Sequence, residues 1–168
     1  IMSFEPIIDE NCKILILGTM PSVKSLENNN IIEKTKSVLE YNNGLFNKYA
    51  EEDYTNRKIF LLNRHIDIWD VLKSCDREGS SDLEIINPIP NDFETFFSHY
   101  PGIKAVFFNG SKAEEFFSKL IIEKMCFKEV IYYFIGFHLP VRQKQCASMK
   151  IRPVEGYFTA SMAVDDSQ

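Results

Sequence analysis

The sequence predicts an α/β fold, a three-layer α/β/α sandwich around a central four-stranded parallel sheet. Two observations carry this. Four short runs are dense in β-branched and aromatic residues and too uniformly apolar for a sheet with one wet face, and amphipathic helical stretches lie between them. Size agrees. A chain of 168 residues is one domain's worth, 1–168, enough to bury roughly two thirds of its unfolded surface.

The first strand is Lys13-Ile-Leu-Ile-Leu-Gly18, a continuous apolar run ended by glycine. Ile66 to Val71, Lys104 to Phe108 and Val130 to Phe134 resemble it in length and composition. Before the third strand, Asn91 to His99 places Phe93, Phe96 and Phe97 on one side of a short helix. After it, Asn109-Gly110 turns the chain into a second helix. There Ser111 to Glu114 reads as a capping box, and Ala113, Phe116, Phe117, Leu120 and Ile121 form one buried stripe. Met149 to Gln168 shows neither a helical nor an alternating pattern, so the tail is expected to be irregular or poorly packed.

Composition narrows the class further. Hydrophobic residues at 45% and charged residues at 26% exclude wholesale disorder and low-complexity architecture. No apolar run reaches the length of a membrane span, and the first residues carry Glu5, Asp9 and Glu10 where a signal peptide would be basic and then apolar, so a cytoplasmic protein with no membrane partner is expected. Cys12, Cys75, Cys126 and Cys146 lack C-x-x-C spacing and a nearby histidine, which signals reduced thiols rather than zinc or disulfides. His65, His99 and His138 have no Ser or Cys partner at recognisable spacing, and a structural role is favoured for each. The net charge of −5 excludes a wholly polyanion-binding surface but not a small basic cleft. Residues 1–136 hold 15 Lys and Arg against 21 Asp and Glu, whereas 137–168 hold 4 against 3, so the tail differs in character from the core.

In sheets of this class, ligands bind outside the carboxyl ends of the strands. After the first strand, Gly18, Thr19, Met20, Pro21, Ser22 and Ser25 form a rigid turn that holds an acceptor-rich ligand or is an ordinary strand-to-helix connection. It is neither a Walker loop nor a dinucleotide fingerprint. Asp70 ends the second apolar run, where a carboxylate must cap a turn or face a polar pocket. The following loop offers Arg77, Ser80 and Ser81 either as phosphate contacts or as solvated residues.

Four blocks, taken together, resemble the uracil-DNA glycosylase superfamily, and most closely its sixth family, the hypoxanthine (deoxyinosine) DNA glycosylases. They are Ile14 to Leu26, Ile68 to Ser80 with Asp82, Asn87 to Phe93, and Phe107 to Ala113, in family order and spacing. The resemblance implies a monomeric enzyme without metal or cofactor, acting on DNA containing deaminated bases. It flips the damaged nucleotide into a pocket at the strand ends, where a positioned water displaces the base. It implies that Gly18 to Ser22 form a pocket wall, that Asp70 stands where relatives read the base edge, and that Asn109-Gly110 opens the helix behind the pocket. Catalysis then rests on electrostatic stabilisation of an oxocarbenium-like sugar and a departing base.

Two family segments are absent. One has the form Q-Y-Y-x-x-P-x-N-x-F-W, whose asparagine positions the water, and the other is L-P-S-T-S-P-A after the fourth strand. The corresponding positions here, Asn29 to Glu40 and Leu139 to Gln145, lack the needed residues, so no catalytic residue is assigned. Back-translation gives a reason. Codons available to Asn28 to Ile32, read two nucleotides late, spell Q-Q-Y-Y; those of Thr35 to Glu40, shifted by one, permit R-N-R-F-W. Gly136 to Gln143, shifted by two, permits L-P-S-T-S-P-A. The proline between the first two pieces is not recovered. The reading is a glycosylase gene interrupted by small insertions or deletions, with a coherent core over 1–136 and an atypical tail over 137–168.

Overall fold

A computed structural model describes residues 1–31, 53–124, 131–135 and 150–153, the last two spans for backbone only. The central sheet is built from β1 (Ile14–Gly18), β2 (Ile66–Asp70), β5 (Ala105–Asn109), β6 (Ile131–Ile135) and β7 (Lys150–Pro153). All neighbours are parallel, in the order β2-β1-β5-β6-β7. The four runs expected from sequence are four of these strands, each within one residue of its expected bounds.

The sheet has five strands, not four. The fifth lies in the tail expected to be irregular: Lys150 pairs with Ile131 and Pro153 with Phe134. Four residues are too few to show alternation. A terminal proline, with no N–H to give to a ladder, further disguises the segment, though an edge strand tolerates it.

Helices cover both faces. On one, α3 (Phe93–His99) and α4 (Ser111–Leu120) pack Phe93, Phe96, Ala113 and Phe117 against Leu15, Leu17, Trp69, Val106 and Phe108. Aromatic rings knit this layer. Trp69 stacks on Phe96 at 4.7 Å between centroids, and Phe117 meets Phe93 edge-on at 5.1 Å and Phe108 at 5.2 Å. On the other face, α2 (Tyr54–Asn63) buries Leu61 against Ile14, Ile16, Ile66, Ile68 and Phe107. β1, β2 and β5 are therefore covered on both sides, as their unbroken apolar runs require.

Two local expectations change. The helix after β5 does begin at Ser111, but its N-cap is Gly110, with φ 109° and no capping side chain, so the capping box is not formed. The chain after Asp70 does not pass directly into a loop. It forms an antiparallel ribbon of β3 (Leu72–Asp76) and β4 (Ile86–Pro90), with register shifts along it. Pro88 and Pro90 hide β4 in the sequence, yet fit a two-stranded ribbon whose outer edge needs no donors. The short helix α1 (Val23–Glu27) follows the first strand's loop. Along the free edge of β2, Ile7 pairs antiparallel with Ile68 through two backbone bonds of 2.9 and 3.1 Å, which shields that edge.

Candidate functional site

The sheet order fixes where a site can form. From β1 the chain goes to β2 on one side and later to β5 on the other, so the crevice of an open sheet falls at the carboxyl ends of β1 and β5. The residues singled out in sequence stand along this edge. Gly18 ends β1 and lies in register with Asp70, which ends β2, while Asn109 ends β5 and Gly110 starts the turn into α4.

The loop from Gly18 is held by backbone bonds to the chain after β2: Val71 N donates to Gly18 O at 2.8 Å, and Leu72 N to Thr19 O at 3.2 Å. Thr19 and Met20 are fully buried beneath it. The Thr19 Oγ1 has no hydrogen-bond partner among the described residues. Ser22 is the N-cap of α1, its Oγ accepting from Ser25 N at 3.1 Å and lying 3.0 Å from Ser25 Oγ. Asp70 is 4% exposed, and its carbonyl accepts from Asn91 Nδ2 at 2.8 Å. Asn91 N also donates to Val71 O at 2.9 Å, so this buried amide clamps the end of β2 to the start of α3. Sequence reading placed Asn91 inside a matching block without giving it a role; its position just before a helix of phenylalanines was the available signal.

Arg77 is a clasp. Its side chain is fully buried and donates through Nε to Gly79 O at 3.0 Å and through Nη2 to Pro21 O, while Nη1 lies 3.3 Å from Asp82 Oδ1. Of the two roles left open for Arg77, phosphate contact or solvated residue, burial of the side chain rules out the second. Each nitrogen of the guanidinium is engaged inside the protein, which ties the ribbon's loop to the loop after β1. Ser80 adds a second tie by accepting Val23 N at 2.9 Å. Ser81 caps the turn at Asp82–Glu84. The hydroxyls of Ser22 and Ser25 thus bond to each other, those of Ser22 and Ser80 accept from backbone, and none of these bonds leads to a general base.

Of the segments in which sequence reading found the family's chemistry missing, only Asn29 to Ile31 are described; residues 32–52 and 136–149 lie outside the described residues. Asn30 and Ile31 are buried beside the site loop, where Asn30 N donates to Ser25 O at 2.9 Å. Cys12 and Cys75 are buried free thiols, and burial raises the Cys75 pKa. His99 lies 2.8 Å from Thr95 O on its own helix. No group of His, Cys, Asp and Glu able to hold a metal occurs among the described residues, nor any helix long and apolar enough to cross a membrane.

No family model matches the chain. It is 34% identical over 118 residues to a hypoxanthine DNA glycosylase of Methanosarcina barkeri, covering 67% of this chain and 73% of that protein. A hypoxanthine DNA glycosylase of Methanosarcina acetivorans is 30% identical over 115 residues, with the same coverage. The fold matches the solution NMR structure of a Methanosarcina acetivorans protein assigned as a uracil DNA glycosylase, with a TM-score of 0.61 and 26% identity over 90% of this chain and 82% of that one. A parallel sheet with helices on both faces and relatives of this identity and coverage lead to one conclusion: the chain belongs to the hypoxanthine DNA glycosylases of the uracil-DNA glycosylase superfamily.

Proposed function

We propose that the chain derives from a DNA glycosylase of base-excision repair, which hydrolyses the N-glycosidic bond of a flipped deoxyinosine or deoxyuridine, and that as written it is impaired. What supports this reading is the switch point at the carboxyl ends of β1 and β5. Gly18, Asp70 and Asn109-Gly110 stand at neighbouring strand ends there, in a chain whose relatives are named hypoxanthine DNA glycosylases. A flipped base needs a walled, polar slot at the strand ends. The clasp of Arg77 and the clamp of Asn91 supply rigid walls for one. Impairment follows from the sequence. The segments that position water and complete the site are absent, and their recovery in shifted reading frames supports a damaged gene. The protein acts as a cytoplasmic monomer on DNA containing deaminated bases, with no cofactor, through one domain whose tail from residue 137 is atypical.

The absent segments equally suit a relative that kept the fold and binds nucleic acid without chemistry. One assay separates the two. The purified chain is incubated with duplexes carrying deoxyinosine or uracil and scored for abasic sites, then again with both segments restored. Excision only after restoration supports the damaged enzyme, whereas salt-sensitive binding without excision in both forms supports the binding protein. The coding DNA gives an independent answer, since frames that do not encode the family segments would rule out the shifted-gene account.

A further inference from the structure

The end of β2 is held from two sides. Asn91, only 8% exposed, donates through Nδ2 to Asp70 O at 2.8 Å and through its backbone N to Val71 O at 2.9 Å. From the other side, Val71 N donates to Gly18 O at 2.8 Å and Leu72 N to Thr19 O at 3.2 Å. The Asp70 carbonyl and the Val71 amide belong to one peptide plane, and the Val71 carbonyl and the Leu72 amide to the next. Each plane is therefore anchored at both its C=O and its N–H, between the loop after β1 and the residue before α3.

The start of α3 does not need the Asn91 side chain. Its N-cap is Asp92, whose carboxylate accepts from Thr95 N at 3.1 Å and from Thr95 Oγ1 at 2.7 Å. Nor is α3 joined to the sheet by this amide alone: Trp69 lies 5.1 Å from Phe93 and 4.7 Å from Phe96 between ring centroids. Asn91 O accepts from Phe93 N at 3.0 Å, so the residue is itself fixed to the helix that this aromatic packing holds. What the buried amide adds is the orientation of one peptide, the one that directly follows the Asp70 side chain. That side chain stands at the carboxyl end of β2, on the edge where sheets of this class bind ligands.

We propose that Asn91 is a positioning residue for base recognition, setting the angle at which Asp70 meets the edge of the flipped base. It acts through the Asp70 backbone and touches no DNA. This role rests on the proposed function, with Asp70 as reader of the base edge, and goes one step further by assigning what aims Asp70. Hydrogen bonds weaken steeply with misalignment, so a small tilt of the Asp70 peptide weakens the bonds to the damaged base and leaves contacts along the strand as they were.

The test compares the full chain with Asn91→Ala, Asp70→Ala and the double variant, measuring affinity for fluorescent duplexes with and without one deoxyinosine. The original chain should prefer the deoxyinosine duplex. In Asn91→Ala that preference should fall by about tenfold, with affinity for the undamaged duplex and its salt dependence unchanged. Because Asn91 acts through Asp70, the double variant should show no less preference than Asp70→Ala alone. Losses that multiply, or an undiminished preference in a folded Asn91→Ala, would overturn the role and leave the glycosylase reading standing. An original chain that binds both duplexes alike also overturns the role; one that binds neither overturns the proposed function with it. Should Asn91→Ala not fold, NMR of the original chain labelled on asparagine decides. The Asn91 side-chain amide signal should move on adding the deoxyinosine duplex and hold still with the undamaged one, and the same response to both would overturn the role.

Discussion

At the residue scale, β2 carries two acids that look alike in sequence and differ in structure. Asp70 was legible, because a carboxylate closing an apolar run invites explanation, and it does end its strand at the candidate site. Asp67 passed unremarked although its position is harsher. It is fully buried, neither oxygen has a hydrogen-bond partner among the described residues, and burial, reinforced by the Asp9 charge, pushes its pKa up to about 9. A raised acid binds its proton in the folded state over a range in which the unfolded chain has lost it. Its contribution is therefore fully present below about pH 4 and is lost as pH rises toward 9, by at most about 1.4 kcal/mol per pH unit. Urea denaturation from pH 5 to 8.5 should show this decline in the original chain, and Asp67→Asn should flatten it; parallel curves for the two would contradict the assignment. Arg77→Met should cost roughly 2–4 kcal/mol by the same measurement, because it removes the bonds to Gly79 O and Pro21 O and the ion pair with Asp82 together.

At the scale of elements, the strands that were legible are those buried on both faces, where composition alone marks them. The elements that were not legible lack that mark. The helix α2 uses Arg57 where an apolar residue would complete a stripe, so its periodicity is broken. The strand β4 contains two prolines, and β7 has four residues. The helix α4 was found by its stripe, but its start depends on backbone rather than on a capping side chain. Gly110 sits at φ 109° with nothing within 4 Å of where a Cβ would stand. Gly110→Ala therefore strains the backbone without a clash, and a loss of about 1–2 kcal/mol in thermal or chemical denaturation is expected. Phe117→Ala should cost more, about 3–5 kcal/mol, since the ring is fully buried between Phe93 and Phe108 and joins α4 to both α3 and the sheet.

For the whole molecule, the order β2-β1-β5-β6-β7 gathers residues from four separated blocks at one edge, which is why block order and spacing in the sequence carried the family. The walls of the candidate site were legible as motifs; the ties that make them rigid, Asn91 to Asp70 O and Arg77 to Pro21 O, were not, because they join residues 21 and 56 positions apart. The central claim is that a glycosylase scaffold persists here with its chemical segments displaced. Single-turnover release of hypoxanthine from a deoxyinosine duplex tests it most directly, with the chain as written set against the chain carrying both restored segments. Release faster by on the order of a hundredfold or more in the restored chain is the predicted result, as expected when a positioning or acid–base element is regained. A restored chain that folds and binds the duplex yet releases no base would contradict it.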